Sequence, residues 1–161
     1  PWRAMARSTA FDCGSEAQTR WLRQVARTAQ AARTAVVYVV TPEGEDRVVG
    51  YYALAAASVA QADAPSPLLK SAGRSPIPVI LLARLGVDVG AQGHGLGAAL
   101  VKDAMLRSHQ AAETVGARAL KSGGVELKPR KEPDPKKVEI IPLDAITETV
   151  TRLLAELTKS P

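Results

Sequence analysis

Gly93, Gly95 and Gly97 alternate with His94 and Leu96 in a short stretch after Gln92, a spacing suited to cradling a pyrophosphate. An apolar, β-branched run through Val79, Ile80, Leu81 and Leu82 leads up to Val89 and is cut by Gly90. Directly after the glycines a periodic apolar pattern begins, so strand, loop and helix are predicted in that order. The first turn of a helix leaves N–H groups without intrahelical acceptors, and the positive end of its dipole adds to their attraction for an anion. A Cβ at 93, 95 or 97 is expected to hold ligand oxygens away from that backbone.

Spacing separates the kinds of phosphate site. A P-loop requires Lys and then Ser or Thr after its last glycine, whereas Ala98, Ala99 and Leu100 follow Gly97. A dinucleotide fingerprint in its relaxed form is met by Gly93, Gly95 and Ala98, but its acidic partner must stand on the next strand tip. Glu113, at about the right separation, is predicted at a helix end instead. The pattern Q-x-x-G-x-G, read as Gln92, Gly95 and Gly97 after Arg84, Leu85, Gly86, Val87 and Asp88, fits better.

This last pattern resembles the acyl-CoA motif of the GNAT N-acetyltransferases. Further segments fall in order: Phe11-Asp12-Cys13-Gly14, Trp21-Leu22, Val48 to Ala55, Pro76 to Val79, and Gln110 to Glu113. Together they are similar to the TacT-type GNAT toxins of bacterial toxin–antitoxin pairs, over about residues 10 to 120. The resemblance implies an α/β GNAT acyl-CoA N-acyltransferase fold, a mixed sheet flanked by helices. It implies acetyl-CoA held by Leu85, Val87, Gln92, Gly93, His94, Gly95, Leu96, Gly97 and Ala98. The activity implied is acetylation of the amino group of aminoacyl-tRNA, with a ribbon–helix–helix antitoxin and a homodimer as partners. Arg20, Arg23 and Arg27 are placed near the acceptor groove, where they meet phosphate or merely keep a helix face solvated.

The resemblance also implies a tyrosine late in the chain as proton donor to the leaving thiolate. No aromatic residue follows Tyr52. The catalytic acid is therefore unassigned, with Tyr51 and Tyr52 as substitutes only if the fold brings one to the sulfur. Residues 1–120 read as the GNAT core and 121–161 as an atypical C-terminal segment. Within that segment a lysine- and proline-rich linker is expected over 121–137, with a short strand and a helix over 138–160. The segment is open to several readings: a diverged working end, a replacement that disarms the enzyme, a frameshift, a docking helix, or a plain helix completing the core.

Length and composition bound these expectations. With 161 residues and 46% apolar content the chain is long enough for one domain with a substantial core. A single Cys13 allows no internal disulfide and suits a reducing compartment. No apolar span has the length of a membrane helix and no leader precedes Phe11, so a cytoplasmic protein is expected. Two histidines and scattered carboxylates show no metal-ligand spacing. The net charge is +5, and Arg3, Arg7, Arg20, Arg23, Arg27 and Arg33 face only Asp12 and Glu16 at the start of the chain. That excess suits a polyanionic partner.

Elements must position these groups. A helix is expected from Glu16 to about Ala32 behind Asp12 or Ser15 as cap, then a hairpin from Ala35–Val40 and Arg47–Ala57. Tyr51 and Tyr52 must then point to opposite faces. A loop from Ser58 to Ser75 and a helix from Leu96 to Ala112, with Lys102, Asp103 and Arg107 outward, complete the core. Two other functions stay open: acetylation of a small amine or protein N-terminus, and a catalytically impaired module that binds acetyl-CoA or an antitoxin.

Overall fold

The computed structural model describes residues 8–70, 73–122 and 140–142. Its centre is a five-stranded sheet in the order β1-β2-β3-β4-β5, with β1 at Val36–Val40, β2 at Gly50–Val59, β3 at Ile77–Val87, β4 at Ala119–Ser122 and β5 at Ile140–Pro142. β3 and β4 are parallel and the other neighbours antiparallel, which makes the expected mixed sheet. β5 is the short strand expected within 138–142, and Lys121 and Ser122, expected as linker, belong to β4. Most of the remaining linker and the C-terminal helix lie outside the described residues.

The expected N-terminal helix is present but not regular. Glu16–Arg20 (α1) runs through a π turn at Trp21–Val25 into Ala26–Ala31 (α2). The wider turn, closed by Ala26 N–H on the Trp21 carbonyl, brings Leu22 and Trp21 together onto the sheet. Periodicity at 3.6 residues per turn does not reveal such an insertion. Ser15 is the N-cap by backbone only, and the Asp12 carboxylate accepts from Gly14 N–H instead, at 2.9 Å.

Alternation along β2 divides the core. Tyr51 and Ala53 face α1 and α2 with Phe11, Leu22 and Val37, whereas Tyr52 and Leu54 face Leu96–Val115 (α4) with Leu82, Leu100 and Met105. A short helix Ser66–Leu69 (α3) in the connection after β2 brings Leu68 against Val59 and Ile77. α4 lies close on β2, because Gly50 leaves room for Leu100 and Leu96: a Cβ there would meet Leu100 Cδ1 at 3.1 Å and Leu96 Cδ2 at 3.3 Å. The entrance of α4 is thereby fixed at the C-terminal end of β3. Among the described residues no helix is long and apolar enough to cross a membrane.

Candidate functional site

β3 pairs with β2 along its whole length, but with β4 only from Val79 to Leu82. Past Leu82 its second edge has no strand partner among the described residues. The pairing to β2 slips at the same place: Leu54 opposes Leu82, Ala53 opposes Arg84, and Ala83 is the extra residue of a bulge. A bulge sharpens the local twist and re-aims the strand. The result is a strand with one row of backbone hydrogen-bonding groups left for an extended ligand. Nothing in the composition of Leu82-Ala83-Arg84 signals this.

At the end of that edge the chain turns into the expected loop. Asp88, which is buried, holds the turn: Oδ2 accepts from Asp12 N–H at 3.1 Å and Oδ1 from Gly90 N–H at 3.0 Å, with Arg47 at 3.6 Å. A short 3-10 turn at Val89–Ala91 follows. Gly93 and Gly95 then take φ of +82° and +77°, and Gly95 is the N-cap of α4 with no side-chain capping bond. This backbone conformation, not crowding, demands glycine there, since an added Cβ at either position meets nothing within 4 Å. Gly97 is different. Its conformation would admit a side chain, whose Cβ would meet only Val87 Cγ2 at 3.8 Å, so its lack of one leaves the space over the helix entrance open.

Ala99 N–H already bonds the Gly95 carbonyl at 3.1 Å, so the N–H groups of Leu96, Gly97 and Ala98 stand ahead of the intrahelical ladder. Such groups, at the positive end of a 20-residue helix, could hold an anion. The expected residues meet here in two roles. Leu85, Val87 and Leu96 pack their side chains toward the α4 face, beneath the loop. Gln92, expected to serve a ligand, turns its side chain back, and Nε2 donates to the carbonyls of Val87 at 2.9 Å and Cys13 at 3.2 Å. It staples the loop to β3 and to the N-terminal segment. His94 is exposed, with Nδ1 2.9 Å from the Gln92 carbonyl.

The two tyrosines lie on opposite faces, as alternation requires. Tyr51 donates its hydroxyl to the Gln18 carbonyl at 2.8 Å, and Tyr52 donates to Asp103 Oδ2 at 2.5 Å. Burial pushes both phenols well above their ordinary range, so both keep their protons at neutral pH. Both protons are engaged by protein acceptors. Tyr51 stands beside the open strand, because its ring covers Gly86: a Cβ there would come within 2.8 Å of Tyr51 Cε1 and 3.3 Å of both Cys13 Sγ and Phe11 Cζ. Gly86→Val should therefore overpack a buried aromatic cluster and cost about 2–3 kcal/mol, read as a lower denaturant midpoint at unchanged slope.

Asp103, expected outward, is partly exposed and also links Tyr52 to Arg107, whose Nε donates to Oδ2 at 2.9 Å and whose guanidinium lies 4.5 Å from the Tyr38 ring centroid. Burial works to raise the carboxyl, but the bonds from Arg107 and Tyr52 outweigh it and hold Asp103 below the usual carboxylate range. A folded-state pKa below the unfolded one gives stability that is present above about pH 4 and is lost as pH falls through the folded value. Asp103→Asn should flatten the acid limb of a plot of Tm against pH.

Arg20, Arg23 and Arg27 are exposed on α1, the π turn and α2, and Arg20 pairs with Glu16 at 3.7 Å. Arg84, which sequence reasoning treated only as part of the strand, is half-buried, with its guanidinium 5.8 Å from the Trp21 ring centroid. Among the described residues no group of three or more His, Cys, Asp or Glu could hold a metal ion.

No protein-family model matches the chain. Over 112 residues it is 43% identical to a protein named tRNA-acetylating toxin from Mycobacterium tuberculosis, covering 70% of this chain and 66% of that one. To the probable toxin TacT of Sinorhizobium fredii it is 29% identical over 108 residues, 66% of this chain and 60% of that one. The chain thus spans about 60–66% of the length of these curated relatives. A solved structure of AtaT complexed with acetyl-methionyl-tRNAfMet is similar with a TM-score of 0.77 at 25% identity, over 91% of this chain and 94% of that one. AtaTR bound with AcCoA is similar in fold, with a TM-score of 0.73 at 24% identity over 91% and 92% of the two chains. With a mixed sheet open beside β3 and glycines at the entrance of α4, the chain has the fold of the GNAT toxins and is similar in sequence to the TacT-type members among them.

Proposed function

We propose that the chain is an acetyl-CoA-dependent N-acetyltransferase that acetylates the α-amino group of aminoacyl-tRNA and so blocks translation. The observation that carries this reading is the 43% identity to the mycobacterial tRNA-acetylating toxin. The acetyl-methionyl-tRNAfMet and AcCoA in the two related structures support the same pair of substrates. In this scheme the coenzyme pyrophosphate rests on the amides from Gly95 to Ala98, with Gly93 shaping the loop and His94 at its rim. The pantetheine arm pairs with the open edge of β3, and a backbone N–H between Leu85 and Val87 polarises the thioester carbonyl. The neutral amine attacks the carbonyl carbon. As the C–N bond forms, the C–S bond breaks and the coenzyme leaves with its electron pair on sulfur, while the ammonium gives up its proton to water.

Neither candidate acid takes the role: the Tyr51 ring lies against Gly86 but its hydroxyl is given to the Gln18 carbonyl, and Tyr52 serves Asp103 across the sheet. Coenzyme thiolate is a fair leaving group, and transfer without a dedicated acid is slower by about 10²- to 10⁴-fold, not abolished. Arg20, Arg23 and Arg27 would meet acceptor-stem phosphates. A tRNA substrate places the protein in the cytoplasm, with a ribbon–helix–helix antitoxin as its neutralising partner and a homodimer as its assembly. The core over residues 1–120 would hold the coenzyme and the segment 121–161 would complete the sheet through β5. Cell-free translation tests the scheme: the protein with acetyl-CoA should halt synthesis, and continued synthesis under those conditions would refute it.

One observation favours a second reading, a coenzyme- or antitoxin-binding module with impaired transfer: no aromatic residue follows Tyr52. Expression without growth arrest, in a protein stabilised by acetyl-CoA, would support it.

A further inference from the structure

We infer that Arg84, braced on Trp21, receives the acceptor end of the second substrate by contacting the last phosphodiester of the aminoacyl-tRNA, an inference that rests on the function proposed above. The two substrates need separate approaches to one carbonyl. Leu85 and Val87 pack toward α4, whose N-terminus forms the cradle, so the coenzyme takes that face of β3. Arg84, opposite Ala53, and Gly86, opposite Tyr51, belong to the other face, which carries α1 and the π turn. The amine therefore comes in past Arg84.

The arrangement there is built to hold a cation in place. The Arg84 guanidinium lies 5.8 Å from the Trp21 ring centroid, and Trp21 stacks on Tyr51 at 5.9 Å with an interplanar angle of 11°. One guanidinium nitrogen donates to the Ala83 carbonyl at 3.0 Å, at the bulge. Among the described residues no carboxylate forms an ion pair with Arg84. A half-buried guanidinium held over an aromatic ring, with no counter-carboxylate among the described residues, has N–H groups left for an outside anion. Its distance along β3 sets it apart from the pyrophosphate: it stands three positions before Val87, about 10 Å at the rise of a strand. It stands at the reacting end. Exposed Arg20 and Arg23 flank Trp21 and extend the positive charge outward along the path a polyanion would follow.

The test uses Trp21 as reporter. The chain has two tryptophans, so Trp2→Phe leaves Trp21 alone. A tRNA acceptor-stem minihelix should then change Trp21 emission, and one trimmed of its 3′-terminal nucleotide should bind more weakly. Arg84→Gln should weaken minihelix binding and raise KM for aminoacyl-tRNA by about 10- to 100-fold with kcat kept. Stabilisation by acetyl-CoA should stay as in the parent protein, which also confirms folding. Arg84→Lys keeps the charge but loses the planar fork, and should fall between. Unchanged minihelix affinity in Arg84→Gln would overturn the inference, as would a loss confined to acetyl-CoA, which would give the arginine to the coenzyme. A parent protein that binds no minihelix would instead remove the aminoacyl-tRNA function on which the inference stands.

Discussion

Gly95→Glu should abolish the thermal stabilisation expected from acetyl-CoA while leaving the protein folded. Gly95 caps α4 at φ +77°, with open space where its Cβ would be, so the substitution strains the backbone by about 1–2 kcal/mol without a clash. The larger effect is electrostatic. A carboxylate beside the pyrophosphate at about 4 Å opposes it by about 4 kcal/mol at the effective dielectric of a protein surface, on the order of 10³-fold in affinity. In the parent protein, ligand at about 100 times Kd should contribute about 2.7 kcal/mol, a rise in Tm of about 5–10 °C. In Gly95→Glu the rise should vanish, whereas Gly95→Ala should lower the unliganded Tm and keep most of the response. Equal responses in all three proteins would dissociate the glycine loop from the coenzyme.

Asp88→Ala should cost about 2–4 kcal/mol and lower Tm by about 5–15 °C. Its carboxylate is buried and accepts from Asp12 N–H and Gly90 N–H, so truncation leaves two donors without their partner and removes the charge facing Arg47. The same loss loosens the turn into the cradle, so acetyl-CoA affinity should fall with stability. Asp88→Asn retains one acceptor oxygen and should cost about half as much. A Tm within about 1 °C of the parent would show that the Asp88 carboxylate does not hold the turn.

What the sequence made legible follows from periodicity and from residue chemistry. Alternation in Gly50–Val59 places Tyr51 and Tyr52 on opposite faces, and Gly93-His94-Gly95 marks the entrance of a helix that begins at Leu96. Glu113 lies on that helix, where the rejected dinucleotide fingerprint required a strand tip. What stayed hidden depends on contacts distant in sequence. The π turn at Trp21–Val25 and the bulge at Ala83 are single-residue insertions that composition does not mark. The Gln92 side chain reads as a ligand contact until its bonds to Val87 and Cys13, the latter 79 positions away, show it stapling the loop. Asp103 reads as solvent-facing on a helical wheel and is partly exposed, but the bond it accepts from the Tyr52 hydroxyl is not legible there.

The central claim is tested most directly by following labelled acetyl groups from acetyl-CoA onto bulk aminoacyl-tRNA, with Gly95→Glu in parallel. Label is expected on the amino group of the aminoacyl moiety, accumulating slowly and absent in Gly95→Glu. No label on aminoacyl-tRNA, in a protein that acetyl-CoA stabilises, would contradict it and leave a coenzyme-binding fold without the transfer.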